Sequence, residues 1–237
     1  VTGLKIVKPS TGKQVIQNNA ITFVSPLPAA PVCFNGAVST IAEGNSKVYL
    51  GGAFQSIGTC MGGGIPISKT MGIPVPGKGN FPEVAGEVYS VISDNEGGYY
   101  IGGNFTGVGG QERHNLARIK SDFSLDPLIG STATIGGVDG SVYTLALKDN
   151  TLYLGGYFRS FGKRLSTYGA IIGPTGVVNT NQALIVGTIN ASAGDGNGGF
   201  YVGGDFQWVG GIPVSRIAHI QADGTLNMLF IPSTNGI

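Results

Sequence analysis

Apolar positions in this chain form a pattern that returns four times and ends each time on a pair of glycines. The second pair follows Tyr99, Tyr100 and Ile101, a run without polar interruption. Such a run predicts a strand that is covered on both faces. One residue and a phenylalanine follow each pair. The four copies are Leu50-Gly51-Gly52-Ala53-Phe54, Ile101-Gly102-Gly103-Asn104-Phe105, Leu154-Gly155-Gly156-Tyr157-Phe158 and Val202-Gly203-Gly204-Asp205-Phe206.

The spacing of these copies predicts a repeat architecture. The first glycines, Gly51, Gly102, Gly155 and Gly203, stand 51, 53 and 48 residues apart. A period of this size in a chain rich in strand formers is typical of repeated structural units. Because glycine weakens a strand, its return at one position indicates that another backbone or ring comes too close for a Cβ atom. A sheet packed between two neighbouring sheets explains both the glycines and the apolar runs.

Each repeat contains the elements of a small antiparallel sheet. A first strand, a polar hairpin turn, the glycine strand, a third strand and a more variable outer strand follow one another. The predicted first strands are 38–42, 88–92, 142–147 and 189–193, and the predicted third strands are 116–120, 168–172 and 216–221. The first repeat departs from this order, with Met61-Gly62-Gly63-Gly64 and a proline-rich segment over 73–82. No helix is predicted.

Four short antiparallel strands in about 50 residues, repeated radially, are the unit of a β-propeller blade. The predicted fold class is therefore all-β, a β-propeller built from four-stranded antiparallel blades. The predicted blades are 36–85, 86–139, 140–186 and 187–237, and residues 1–35 are predicted to form an outer half-blade and linker.

The two ends of the chain carry a further expectation. Leu4-Lys5-Ile6-Val7 matches a third strand, and Asn235-Gly236-Ile237 matches the start of a first strand at Asn35-Gly36-Ala37. An open arc exposes strand edges and the apolar flank of a blade. We therefore expect the arc to be completed by further chain segments or by self-association. The alternative is a closed monomeric ring of four or five blades.

Composition narrows the classes of partner. Only 11% of the 237 residues are charged, the net charge is +1, and 42 residues are glycine. An ordinary soluble domain has about a quarter of its residues charged. The small net charge and the absence of a basic run exclude nucleic acid as an expected partner. No apolar stretch reaches the length of a membrane span, so no direct span is expected.

The repeats resemble a known family. The stretches that carry the resemblance are Tyr201 to Gly211, Arg216 to Leu226, Ile101 to Gly110 and Leu116 to Ile119. They are similar to the delta-60 type of β-propeller repeat, which occurs in large bacterial surface and secreted proteins and, in related form, in fungal cell-cortex proteins. The resemblance covers residues 36–237, closely in three repeats and loosely in the first. It implies a propeller outside the cytoplasm in a binding or scaffolding role, and it brings no catalytic residues.

The residues themselves offer little chemistry. His114 and His219 lie at different repeat positions, and no His, Cys or carboxylate cluster has metal-ligand spacing. No cofactor or metal is therefore expected. The turns that begin at Asp94 and Asp195 carry alternate oxygen atoms that could hold calcium, but neither has the full twelve-residue loop. Turn formation is the favoured role for both.

The only two cysteines are Cys33 and Cys60. Folding the first hairpin about the turn near Asn45 brings them to facing ends of its two strands. A disulfide and an oxidising compartment are therefore predicted. The alternative is a pair of buried free thiols.

The loop after the glycine signature holds the candidate ligand-binding residues. Two residues past the signature phenylalanine, three repeats have a small residue and the fourth has Trp208, the only tryptophan. An exposed tryptophan is a good platform for a sugar ring or an apolar anchor. The alternative is that Trp208 packs on a neighbouring loop. The other candidates on this edge are Gln207, Arg113, His114, Asn115, Arg159 and Arg164.

These observations support three hypotheses of function. The favoured one is a non-catalytic extracellular or cell-surface module, on the bacterial envelope, that binds a glycan or a protein on one propeller face. A structural spacer within a larger surface protein is the alternative. A hydrolase with its site at the propeller mouth is less favoured, because fold alone does not specify function and no convergent carboxylates can be identified.

Overall fold

The computed structural model describes residues 36–43, 47–54, 64–69, 81–131, 136–173, 176–230 and 232. These residues form small antiparallel β-sheets joined by turns, and no helix occurs among them. The described part of the chain accordingly holds no helix long and apolar enough to cross a membrane. The predicted all-β character is confirmed.

Each of the four repeats contributes a β-sheet. The first sheet is β1 (Val38–Glu43), β2 (Lys47–Gly52) and β3 (Gly64–Ser68), in that order. The second has β4 (Val84–Ser93), β5 (Tyr99–Val108) and β6 (Gln111–Glu112), with β7 (Leu116–Ile119) also paired to β5. β3 follows the glycines that made this part of the first repeat look irregular, and it pairs antiparallel with β2.

The third and fourth repeats have the same plan. β8 (Ser141–Lys148), β9 (Thr151–Tyr157) and β12 (Gly169–Ile172) form the third sheet, beside a separate hairpin of β10 (Ser160–Phe161) and β11 (Arg164–Leu165). β13 (Ile185–Gly194), β14 (Phe200–Val209) and β15 (Ile212–Pro213) form the fourth, with β16 (Ile217–Ile220) paired to β14. The first strands of consecutive sheets pack in chain order, β1 on β4, β4 on β8 and β8 on β13.

The two glycines of the signature meet different steric constraints. At the second glycine, a Cβ atom would collide with a carbonyl oxygen in the first strand of its own sheet or directly before it, near the β-bulge where the register shifts. At the first glycine of the first three sheets, a Cβ atom would collide with a side chain of the next sheet. It would lie 2.5 Å from Val88 Cγ1 at Gly51, 2.6 Å from Val142 Cγ1 at Gly102 and 2.5 Å from Ile189 Cγ2 at Gly155. In these three sheets, the missing side chain of the first glycine leaves a space that a branched side chain of the following sheet fills. We call this space the socket.

Large side chains close the remaining space between sheets. Tyr49 lies against Tyr99 of the second sheet with ring centroids 5.1 Å apart, and Tyr153 stacks on Phe200 of the fourth sheet at 5.0 Å. Both Tyr49 and Tyr153 are fully buried. Burial raises the pKa of both phenols, and neither hydroxyl has a hydrogen-bond partner among the described residues.

In the last three sheets, the predicted fourth strand is reduced to one isolated β-bridge. The bridges join Ile119 to Leu125, Ile172 to Val178 and Ile220 to Leu226. A polar residue directly after each bridge accepts a hydrogen bond from a backbone N–H two residues further on, and so bends the chain away from the sheet. These residues are Asp126, Asn179 and Asn227, with donors at Leu128, Asn181 and Leu229.

A carboxylate organises the hairpin turn of the second and fourth sheets. Oδ1 of Asp94 accepts hydrogen bonds from Glu96 N and Gly98 N, at 2.8 and 2.7 Å, and Oδ2 accepts one from Arg118 Nε at 3.0 Å. Asp195 does the same with Asn197 N and Gly199 N, at 2.7 and 2.9 Å. Both carboxylates are thus engaged in turn formation.

Several predictions concern residues that the structure does not describe. The half-blade and linker over 1–35, both cysteines and the segment over 70–80 lie outside the described residues. The predicted disulfide between Cys33 and Cys60 stays a prediction.

Candidate functional site

An open cavity of about 690 Å³ lies between the second and third sheets. Its wall combines exposed apolar side chains with cationic ones. The lining includes His114, Leu128, Asp139, Phe161, Lys163, Arg164 and Val177. Two of the predicted ligand-binding residues, His114 and Arg164, therefore share one cavity although they belong to different repeats.

The β10–β11 hairpin carries two cationic side chains of the cavity wall, Lys163 and Arg164. Gly162 and Lys163 form its two-residue turn, and Gly162 has φ 60°, which glycine adopts without steric cost. Phe161 is 1% exposed and anchors the hairpin in the core, while Lys163 and Arg164 are exposed. The burial of Phe161 thus fixes the position of the backbone that carries Lys163 and Arg164.

Asp139 holds the hairpin at the other edge of the cavity. Its Oδ1 accepts hydrogen bonds from the backbone N–H groups of Arg159 and Ser160, at 2.8 and 2.9 Å. Partial burial opposes ionisation of this carboxyl, but the two N–H donors outweigh it and hold its pKa below the ordinary value. Asp139 is therefore an anion at neutral pH whose acceptor capacity is largely used by the hairpin.

His114 approaches the cavity from the second sheet. Its Nε2 lies 2.8 Å from Oε1 of Glu112, and both side chains are substantially exposed. Leu128 and Val177 add apolar surface, with 45% and 62% of their side-chain area exposed. The cavity can thus receive a ligand that has an anionic or hydrogen-bonding group beside an apolar face.

Arg113 and Asn115, which flank His114, support the loop instead of facing a ligand. Arg113 is 5% exposed, and its guanidinium donates hydrogen bonds to the carbonyl oxygens of Glu112 and Asp126, at 2.8 and 3.1 Å. Asn115 accepts a hydrogen bond from Phe105 N at 2.9 Å and donates one to Val138 O at 2.8 Å. Because Val138 forms a β-bridge with Phe161 of the third repeat, Asn115 links two consecutive repeats.

The remaining predicted residues lie outside the cavity lining. Trp208 is 44% exposed on β14, where it pairs with Val186 and Pro213. Gln207 beside it is exposed, and Arg159 is exposed directly before the β10–β11 hairpin. The structure therefore divides the predicted edge into the cavity with His114 and Arg164, and a separate exposed position at Trp208.

Lys163, Asp139 and the apolar wall were missed by sequence reasoning. A signal for Lys163 was present, since it directly precedes Arg164 in a chain with few charges. Nothing in the sequence pointed to Leu128 and Val177, because their proximity depends on how two sheets pack. Across the described ranges, no group of three or more His, Cys, Asp or Glu side chains is placed to hold a metal ion.

Comparison with known proteins gives a family model and a set of solved structures. Residues 97–128 and 184–230 match the family described as "Domain of unknown function (DUF5122) beta-propeller". No curated protein sequence matches the chain. Among solved structures, the computationally designed Ika4 protein aligns over 72% of this chain and 86% of its own, with 12% identity and a TM-score of 0.47.

The two matched segments contain β5 to β7 of the second sheet and β13 to β16 of the fourth. The predicted β-propeller is thereby confirmed at the level of fold. The chain is a β-propeller whose second and fourth repeats match the DUF5122 model.

Proposed function

We propose that this protein is a non-catalytic binding or adhesion module that uses the cavity between the second and third sheets. The observation that carries the proposal is the arrangement of Lys163, Arg164 and His114 beside the exposed apolar surface of Leu128 and Val177. Exposed apolar surface next to fixed polar groups is typical of ligand sites. The proposed ligand is a glycan or a protein that carries a carboxylate.

The chemistry of the cavity favours an anionic group on the ligand. Arginine matches a carboxylate with two parallel hydrogen bonds, and lysine adds a second positive charge. Asp139 accepts hydrogen bonds from backbone N–H groups, and no ion pair joins it to Lys163 or Arg164 among the described residues. An acidic sugar, or an Asp or Glu side chain, would place its carboxylate at Arg164 and its aliphatic face on Val177.

The proposed place of action is the bacterial cell surface or its surroundings. The support is the resemblance to delta-60 type repeats and a surface that is poor in charge, with 11% charged residues in the whole chain. The predicted disulfide is consistent with the same compartment. No catalytic role is assigned to any residue.

A glycan array, run beside a pull-down from the host's surroundings, identifies the ligand. The Lys163→Ala and Arg164→Ala variants should each bind the identified ligand roughly tenfold or more weakly, since each removes a charge-assisted contact. Arg159→Ala is the matched control, because Arg159 is exposed on the same loop but does not line the cavity.

Trp208→Ala separates the cavity from the second exposed position. If Trp208→Ala abolishes binding while Lys163→Ala and Arg164→Ala leave it unchanged, the site is on β14 and the proposed cavity is not used. A chain that binds nothing on either screen is the result expected of a structural spacer.

A further inference from the structure

The first signature glycine has different surroundings in the fourth sheet than in the other three. In the first three sheets this glycine receives a branched side chain from the next sheet, Val88, Val142 or Ile189. At Gly203 in the fourth sheet, no described side chain lies within 4 Å of a built Cβ, and the nearest described atom beyond its chain neighbours is the Arg216 carbonyl oxygen, at 3.8 Å. The socket at Gly203 is therefore not filled by any side chain of the described residues.

The tyrosine beside the socket shows the same difference between the first and third sheets and the fourth, while Tyr100 of the second sheet is partly buried. Tyr49 and Tyr153 are 0% exposed because a ring of the next sheet covers them. Tyr201, at the same repeat position, is 38% exposed. It is packed only by rings of its own repeat, His219 at 4.5 Å and Phe230 at 5.2 Å between centroids. Gly203, Tyr201 and Phe230 together form what we call the open flank.

The complementary side chain lies at the other end of the described chain. Val38 holds the position of Val88 and Val142, which are fully buried, yet Val38 is only partly buried. Ile41 holds the position of Val91 and Leu145, which are 8% and 7% exposed, yet Ile41 is 51% exposed. β1 therefore presents the branched side chains that a signature socket accepts in every other sheet.

Among the described strands, the two surfaces are not packed on each other in one molecule. The sheets pack in chain order, so two sheets separate β1 from the fourth sheet, and the described strands show no extensive packing of β1 on β13 or β14. We propose that the open flank of one molecule binds β1 of a second copy, with Val38 inserted at Gly203. The contact repeats the geometry that already joins consecutive sheets.

This interface is head-to-tail, since the two contacting surfaces differ. Such an interface closes into a ring when the rotation between copies permits, and otherwise extends into a chain of copies. A closed pair would cover both open flanks and both β1 strands. The proposal is independent of the ligand cavity, since the residues at the interface do not line it.

Sedimentation velocity and light scattering of the chain across a range of concentrations test the proposal. The wild-type protein should self-associate, and Gly203→Val should weaken association roughly tenfold to a hundredfold, because the socket can no longer take the side chain of Val38. Gly194→Val is the matched control. Gly194 lies at the exposed end of β13, and the nearest atom to its built Cβ is Lys148 Cβ at 3.8 Å.

Mixing two defective variants gives the sharper result. Val38→Asp destroys the inserting side chain and Gly203→Val fills the socket, so each variant alone should be monomeric. A mixture keeps one intact pair of surfaces and should form a one-to-one complex. Ile41→Asp replaces Val38→Asp if that variant loses its thermal transition, since Ile41 is exposed in the single molecule.

A wild-type chain that stays monomeric at every concentration overturns the proposal. So does a Gly203→Val variant that associates as the wild type does. A mixture of the two variants that remains monomeric has the same meaning.

Discussion

Oδ2 of Asp195 lies 2.7 Å from Nε2 of His219, and in the second sheet the same two repeat positions are held by Asp94 and Arg118. The third sheet has neither partner. Its hairpin is shortened to a turn at Asp149 and Asn150, both with positive φ, and Ile171 replaces the cation. Carboxylate and partner therefore occur together or not at all, which indicates that they work as one unit.

The Asp94→Ala variant tests this unit. The substitution leaves two backbone N–H groups without their acceptor and removes one of the three carboxylates that pair with Arg118, so the free energy of unfolding should fall by about 2–3 kcal/mol. Urea denaturation measures the change. The control is Asp122→Ala, which removes an exposed turn acceptor and should cost clearly less. Equal losses in the two variants would contradict a special role for Asp94.

Asp195 should make the protein sensitive to acid. Burial opposes its ionisation, but hydrogen bonds from Asn197 N, His219 and Gly199 N outweigh this and lower its pKa below the ordinary value. Because the folded pKa is below the unfolded one, the stabilisation is present above about pH 4 and is lost as pH falls through the folded pKa. Asp195→Asn should flatten the fall of melting temperature on the acid side. Asp205→Asn, at an exposed position, controls for lost charge, and an unchanged acid profile in Asp195→Asn would refute the assignment.

The socket at Gly155 predicts a steric effect. A Cβ atom there would lie 2.5 Å from Ile189 Cγ2, so Gly155→Ala should lower the free energy of unfolding by about 1–3 kcal/mol. Thermal or urea denaturation measures it. The paired control is Gly203→Ala, which meets no side chain in the single molecule and should be close to neutral. A Gly155→Ala variant as stable as the wild type would show that the sheets do not pack as described.

Tyr153 offers a stabilising substitution. Its hydroxyl is buried without a hydrogen-bond partner, while its ring stacks on Phe200. Tyr153→Phe keeps the ring and removes the unpaired polar group, so stability should rise by about 1 kcal/mol. Tyr157→Phe, at a side chain 54% exposed, should change little. A loss of stability in Tyr153→Phe would reveal a partner for the hydroxyl.

The predicted disulfide can be tested by chemistry alone. Titration of the denatured, unreduced chain should find no free thiol if Cys33 and Cys60 are joined. The reduced chain serves as the positive control and should give two thiols per molecule. Two free thiols before reduction would remove this support for an oxidising compartment.

Much of the fold could be predicted because the four repeats can be aligned with one another, which shows the positions that they share. The signature glycines, the hairpins and the third strands all follow from residues close in sequence. β3 escaped prediction since its glycine and proline are typical of loops, and its strand form depends on pairing with β2.

The candidate site was only partly predictable for a similar reason. His114 and Arg164 could be placed on one edge, but their shared cavity depends on the packing of two sheets. Arg113 was predicted to be a candidate ligand-binding residue on this edge, but it is 5% exposed. Its burial depends on the carbonyl oxygen of Asp126, 13 residues away, which no local pattern reveals.

The order in which each sheet inserts a side chain into the preceding one gives synthesis of this chain a direction. The socket at Gly51 is complete once the first sheet has formed, and it is filled by Val88 as soon as the next strand follows. Each unit thus offers a template to the one made after it, and contacts remain short in sequence. We expect folding on the ribosome to advance unit by unit from the amino-terminal side, so that at each stage the newest sheet is the one whose signature glycine waits for a side chain.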